Sequence, residues 1–108
     1  MTNKNYNRGR NFEYRIRRFL ESRGYLCFRS AGSHSMADII AFRKWPSGTP
    51  DVMLIQAKYN TGRITNQEIL DMCHAAHKYK FIPVLCTAKP RGKLVFVNFE
   101  TKEILKID

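Results

Sequence analysis

The sequence predicts an α/β fold, in which a mixed central β-sheet is flanked by helices and the elements follow the order α-β-β-β-α-β-β. Two segments carry apolar residues at helical spacing, and five short segments rich in branched and aromatic residues are separated by turn sequences. With 108 residues, the chain has room for one hydrophobic core. We therefore expect a single domain over residues 9–108, preceded by a flexible basic arm over residues 1–8.

The first predicted helix runs from Gly9 to Arg23. Its apolar residues recur with the i, i+4, i+7 and i+8 spacing of one helical face: Phe12, Ile16, Phe19 and Leu20. Gly24 follows at the position where helices commonly end in a left-handed residue. The helix therefore presents one apolar face to the sheet and ends before the first strand.

Three strands are predicted after this helix, at residues 25–29, 36–44 and 51–58. The segment SAGSHS, at 30–35, is a predicted loop. The turn sequence WPSGTP, at 45–50, holds two prolines and a glycine. We therefore expect the second and third strands to form an antiparallel hairpin.

A second helix is predicted at about residues 66–80. Thr65 and Glu68 have the spacing of a capping box. The apolar stripe of this helix consists of Ile69, Met72, Cys73 and Ala76. Two further strands, FIPVLCT and LVFVNF, flank the turn AKPRGK and complete the sheet.

The charge balance indicates an anionic partner. Lys and Arg number 19 against 9 Asp and Glu, so the formal charge is +10, and nucleic acid is the partner that such a balance favours. The basic residues extend from Lys4 to Lys106 instead of occupying one amphipathic helix, which disfavours a membrane surface. The three cysteines have no C-x-x-C spacing, and the sequence shows neither an apolar run of membrane-spanning length nor a signal sequence. We therefore expect a cytoplasmic protein with reduced thiols.

A polar cluster is predicted where the second and third strands meet. Asp38 lies in a strand that should be buried, where an unpartnered carboxylate is costly. Gln56 and Lys58 are two residues apart and therefore project from one face of the third strand. In an antiparallel hairpin, Asp38 near the start of one strand lies close to Gln56 and Lys58 at the end of the other.

Two interpretations of this cluster are open. Oxygen ligands suit Mg²⁺ or Mn²⁺, and such an ion beside a lysine suits phosphodiester hydrolysis. The alternative is a buried ion pair between Asp38 and Lys58, with Gln56 as a hydrogen-bonding neighbour. Glu13 borders the apolar face of the first helix, and its spacing favours a surface pair with Arg17 at i+4.

Asp38, followed after a hairpin by Gln56-Ala57-Lys58, resembles the PD-(D/E)xK nuclease motif in the variant with glutamine at the second acidic position. Four segments in order are similar to the archaeal Holliday-junction resolvase family, including its viral and phage members: GRNFEYRIRRFLESRGY, RSAGSHSMADIIAF, LIQAKYN and LCTAKPRGKLVFVNFE. The resemblance covers nearly the whole chain after the arm. It implies a restriction-endonuclease-like core.

The resemblance also implies an active site. The catalytic positions of the family fall on Glu13, Ser33, Asp38, Gln56 and Lys58, with Ser30 and Ser35 as rivals of Ser33. The implied metal ligands are Glu13, Asp38, Gln56 and the backbone carbonyl of Ala57. Gln67, at the start of the second helix, matches a glutamine that supports the site. Because an amide oxygen is neutral, Gln56 should hold a metal less tightly than a carboxylate would.

The activity implied is Mg²⁺-dependent endonuclease cleavage of four-way DNA junctions, with Mn²⁺ able to substitute. The family acts as a homodimer, and no small-molecule cofactor or membrane is involved. Basic residues expected to contact phosphates are Arg8, Arg10, Arg15, Arg29, Arg63, Lys89 and Arg91. Residues that supply either a dimer face or core are Phe81, Ile82, Phe96, Val97 and Phe99.

Two alternative functions stay open on the sequence. One is another PD-(D/E)xK nuclease, of restriction, repair or nicking type. The other is a DNA-binding module in which Gln56 marks a decayed catalytic site.

Overall fold

The computed structural model describes residues 4–30, 37–44, 50–60 and 62–107. Within these ranges the elements are α1 (Lys4–Ser22), β1 (Leu26–Arg29), β2 (Ile39–Lys44), β3 (Pro50–Tyr59), α2 (Asn66–Tyr79), β4 (Ile82–Ala88), β5 (Val95–Asn98) and β6 (Glu103–Leu105). The strands form one sheet in the order β1-β2-β3-β4-β5-β6. Strands β3 and β4 are parallel and the other neighbours are antiparallel, so the predicted mixed α/β sheet is confirmed.

Helix α1 begins at Lys4, earlier than the predicted start at Gly9. Residues 4–8, which the sequence assigns to an arm, are therefore helical. A glycine weakens a helix by about 1 kcal/mol without ending it, so Gly9 does not mark the boundary. Residues 1–3 lie outside the described part of the chain.

The C-terminal end of α1 follows the prediction. Gly24 has a φ of +88°, a left-handed conformation that glycine adopts without steric cost. The backbone N–H groups of Gly24 and Tyr25 donate to the carbonyls of Glu21 and Leu20 at 3.1 and 3.0 Å. These are the two bonds of a Schellman motif, which turns the chain into β1.

The two helices pack on opposite faces of the sheet. Ile16 of α1 belongs to a buried cluster with Met53 and Ile55 of β3. Leu54, between them in sequence, belongs instead to a cluster with Met72 of α2. Side chains alternate along a strand, so the face of Leu54 continues toward the end of β3 through Gln56 and Lys58.

The C-terminal part of the sheet contains a strand that the sequence does not predict. Strand β6 pairs antiparallel with β5, and Phe96 lies opposite Leu105. Its three residues, EIL, are too few to show a strand pattern. The predicted order α-β-β-β-α-β-β is therefore one strand short.

The residues considered for a dimer face contribute largely to the core. Phe96 is buried, and Ile82 packs against the cluster beneath α1. Phe81 and Phe99 pack against the cluster beneath α2. Val97 is half-buried. The three cysteines are unpaired, with Cys27 and Cys86 buried.

Candidate active site

The pairing of β2 with β3 brings Asp38 to the end of β3. Ile39 lies opposite Ile55 in the ladder. The backbone N–H of Asp38 donates to the carbonyl of Ile55 at 2.8 Å, and Oδ2 of Asp38 accepts from the backbone N–H of Ala57 at 2.8 Å. The proximity predicted from the hairpin is confirmed.

The Asp38 carboxylate is half-buried, and its pKa is raised above the ordinary value of 3.8. Burial is the largest cause, and the negative charge of Glu68 acts in the same direction. The Ala57 N–H and the charges of Lys58 and Arg29 oppose the shift without cancelling it. The site therefore leaves this carboxylate incompletely compensated.

Gln56 and Lys58 lie on the α2 face of β3, as their spacing predicts. Gln56 is 2% exposed, and it has interaction partners. Lys58 forms its ion pair with Glu68, at 2.9 Å between Nζ and Oε2, and not with Asp38. The interpretation of the cluster as a direct Asp38–Lys58 ion pair is therefore wrong.

Glu68 is a site residue that sequence reasoning assigned only to a helix cap. The predicted capping box is confirmed: Oε1 of Glu68 accepts from the backbone N–H of Thr65 at 2.9 Å, and Oγ1 of Thr65 accepts from the N–H of Glu68 at 3.1 Å. Its other carboxylate oxygen binds Lys58. Burial alone would raise the pKa of Glu68, but the hydrogen bonds from Thr65 and Lys58 hold it below the ordinary range. Glu68 thus fastens the start of α2 to Lys58.

Glu13 faces the same region from α1. Its side chain is 17% exposed, and Oε1 accepts from Nε of Arg29 at 3.0 Å. Burial raises the pKa of Glu13, and the charge of Asp38 raises it further, against the opposing effect of Arg29. The expected surface pair with Arg17 is wrong, since Arg17 pairs with Glu21 at 3.9 Å.

The serine positions are only partly described. Ser33 and Ser35 lie outside the described residues. Ser30 is half-buried, and its Oγ donates to the carbonyl of Ala37 at 2.6 Å. Its backbone N–H donates to the carbonyl of Asp38 at 3.0 Å. Ser30 therefore holds the two ends of the loop together beside the site.

Gln67 is exposed, and its Nε2 donates to Oδ1 of Asp71 at 2.8 Å along α2. This contact runs within the helix and not toward β3. Its supporting role in the site stays a prediction, and Glu68, the next residue, makes the contact that joins α2 to Lys58.

The basic residues expected to contact DNA lie on several elements. Those exposed on α1, before α2 and in the β4–β5 turn are Arg8, Arg10, Arg15, Arg63, Lys89 and Arg91. Arg29 forms the ion pair with Glu13. Nη2 of Arg15 donates to the carbonyl of Gly92 at 2.6 Å, which ties the β4–β5 turn to α1. Their contacts with DNA stay predictions.

A family model described as archaeal Holliday junction resolvase (Hjc) matches residues 4–108. The chain belongs to this family. The resemblance found in the sequence is confirmed, and the family is one of junction-resolving nucleases that act in DNA recombination and repair.

A solved structure supports the same fold. The chain is similar to Hjc of Archaeoglobus fulgidus, a Holliday junction resolvase from an archaeal hyperthermophile, with a TM-score of 0.67 and 21% identity over 82% of this chain and 70% of that chain. No curated protein gives a significant sequence match.

Membership of this resolvase family suggests dependence on a divalent metal ion. Among the described residues, no three His, Cys, Asp or Glu side chains are grouped closely enough to hold one. An ion at this site would therefore need neutral oxygen ligands in addition to the carboxylates of Glu13 and Asp38. The set of Glu13, Asp38, the Gln56 amide and the Ala57 carbonyl consists of such oxygen donors. The raised pKa values of both carboxyls mark an environment in which a cation is favourable, so these residues fit the ion.

Proposed function

We propose that this resolvase family member is a Mg²⁺-dependent endonuclease that cuts four-way DNA junctions by paired phosphodiester hydrolysis, with Mn²⁺ able to substitute. The observation that carries the proposal is the meeting of α1, the start of β2 and the end of β3 around Asp38. Asp38, just before β2, interacts electrostatically both with Glu13 of α1 and with Lys58 at the end of β3. Glu68 adds a carboxylate that holds the lysine.

The side chains of the site have different roles in hydrolysis. Glu13, Asp38, Gln56 and the carbonyl of Ala57 would hold the metal, which when bound activates water and neutralises developing charge. Lys58 directs its ammonium group toward the scissile phosphate and stabilises negative charge on it. We also assign Ser33 to the catalytic set, on the strength of the family resemblance.

The substrate is recognised through phosphates and shape. The formal charge of +10 and the exposed arginines of α1 and the β4–β5 turn suit a DNA backbone. We propose a homodimer, because paired cuts need two active sites. No helix in the described part of the chain is long and apolar enough to cross a bilayer. We propose that the enzyme acts in the cytoplasm, or in the host cytoplasm if it is viral.

The experiment that tests this function compares a synthetic four-way junction with a linear duplex of the same sequence, in Mg²⁺ and in EDTA. Paired cuts in the junction alone, dependent on the metal, are expected. Equal cutting of both substrates would indicate a general nuclease. Tight junction binding without cuts in Mg²⁺ or Mn²⁺ would indicate a DNA-binding module with a decayed catalytic site. This is the second candidate function, because the neutral Gln56 replaces an acidic residue of the motif.

A further inference from the structure

Two adjoining grooves lie beside the candidate active site. The larger is an open groove of about 570 Å³, bounded by α1, the end of β3 and Pro90 of the β4–β5 turn; the residues that form its walls are Arg8, Asn11, Phe12, Arg15, Tyr59 and Asn60. The smaller, of about 310 Å³, contains Lys58 and Gly62. The two share Arg8, Tyr59 and Asn60. The smaller groove, which includes Lys58, therefore adjoins the larger one at the end of β3.

The walls of the larger groove combine three kinds of chemistry. Arg8 and Arg15 supply positive charge, and no carboxylate is among the described residues that line it. Asn11 and Asn60 supply amide donors and acceptors. Tyr59 supplies an aromatic ring, held by Phe12 at 5.2 Å between ring centroids. The groove therefore offers arginines for a phosphate, amides for the edge of a base and an aromatic ring for the face of a base.

The groove is built before any ligand binds. Arg8, Asn11 and Arg15 stand at i, i+3 and i+7 of α1 and so form one stripe of the helix. Arg15 is held by its hydrogen bond to the carbonyl of Gly92. A Cβ at Gly92 would lie 3.0 Å from the carbonyl oxygen of Lys89, so glycine allows the tight turn that forms this wall.

The opposite wall is equally constrained. The backbone N–H of Asn60 donates to the carbonyl of Ala88 at 2.8 Å, and Asn60 has a φ of 59°. Asparagine is among the few residues that adopt this conformation readily. Asn60 therefore turns the chain at the end of β3, where it lines both grooves.

We propose that the larger groove is a subsite for single-stranded DNA, which takes the nucleotide of the cut strand next to the scissile phosphate. The phosphodiester lies against Arg8 and Arg15, and the base stacks on Tyr59 within reach of the amides of Asn11 and Asn60. This inference rests on the proposed function. The inference goes beyond the proposed function because it assigns a binding site on the protein to an unpaired nucleotide at the branch point.

The test measures binding of trithymidylate (pTpTpT) to the full chain in EDTA, by NMR titration of backbone amides. Arg8→Ala and Asn11→Asp each lower the net charge by one inside the groove. Arg18→Ala lowers it by one at an exposed position of α1 outside both grooves, which makes it the matched control. All three positions are exposed, and the thermal transition of each variant verifies folding.

The expected amide shifts centre on Tyr59, Asn60 and Gly92. Asn11→Asp should weaken probe binding roughly fivefold or more, because like charges about 4 Å apart repel even in water. Arg8→Ala should reduce the slope of log K against log salt concentration by about 0.7, the value for one lost phosphate contact on a single strand. Arg18→Ala should leave that slope at the wild-type value.

Equal losses of affinity in all three variants would overturn the inference, because overall charge alone would then explain binding. Amide shifts that avoid Tyr59, Asn60 and Gly92 would overturn it as well. The probe binds without metal and without cleavage, so these results do not depend on whether the protein cuts a junction. The two proposals can therefore fail separately.

Discussion

At the scale of single residues, the contact between Glu68 and Lys58 joins α2 to the candidate active site. We predict that Glu68→Gln lowers the single-turnover rate of junction cleavage by about tenfold, the smaller effect typical of residues that position a catalytic group. Glutamine still completes a capping box, so α2 keeps its start. The partly exposed pair contributes about 1 kcal/mol or less to folding, and the melting temperature should change little.

The control for Glu68→Gln is Glu103→Gln, which removes the same charge from an exposed position on β6. Cleavage by Glu103→Gln should match the wild-type rate. Equal rates for the two variants would contradict a positioning role for Glu68.

The raised pKa of Asp38 predicts an unusual dependence of stability on pH. Between its ordinary value of 3.8 and the raised value in the fold, the folded state binds more protons than the unfolded state. This carboxyl therefore favours folding below that window, and its contribution to the free energy of unfolding falls as pH rises through it. The amide of the Asp38→Asn variant does not titrate, so this variant should gain stability relative to wild type as pH rises.

Urea unfolding of both proteins in EDTA, in steps upward from about pH 4, measures this difference. A constant difference across the range would show that Asp38 titrates normally in the folded protein.

The sequence could predict contacts that depend on local periodicity, and not those that depend on packing. The common face of Gln56 and Lys58 follows from alternation along one strand. The pair of Lys58 with Glu68 depends on how α2 lies over β3, which no local pattern specifies. Glu13 likewise satisfies the i+4 rule with Arg17, yet it binds Arg29 from a neighbouring strand.

At the scale of elements, one glycine within α1 and one just after it have opposite roles. Gly9 lies inside the helix, and a methyl group added there would meet open space, whereas Gly24 caps the end of the helix at a φ of +88°. Gly9→Ala should raise the free energy of unfolding by about 0.5–1 kcal/mol, because alanine loses less conformational entropy in a helix. Gly24→Ala should lower it by about 1 kcal/mol, because an L side chain is strained in that conformation.

Thermal and urea unfolding of the two variants measures both signs. If Gly9→Ala does not stabilise the protein, the result would favour the expectation from the sequence that residues 1–8 form a flexible arm. The sequence places the helix start at a glycine because polar residues precede it, whereas the structure continues the helix through them. The start of α2 was predictable because Thr65 and Glu68 form a local capping signal.

At the scale of the whole molecule, the order of motifs carries more information than any one of them. The charge of +10 predicts a nucleic acid partner without distinguishing a nuclease from a binding module. The family match over residues 4–108 decides for the junction resolvases. That residues 9–108 form one nuclease domain stays a prediction, as does the dimer, because a single chain does not reveal which surface meets a second copy.

The central claim is that Asp38 and Lys58 perform cleavage on a scaffold that recognises the junction independently of them. The most direct measurement compares wild type, Asp38→Asn and Lys58→Ala for cleavage of a four-way junction in Mg²⁺ and for binding of the same junction in EDTA. We predict that both variants lose cleavage while their junction affinity stays within about tenfold of wild type, or roughly 1.4 kcal/mol. Cleavage at the wild-type rate in either variant, or loss of binding and of the folding transition together with cleavage, would contradict the claim.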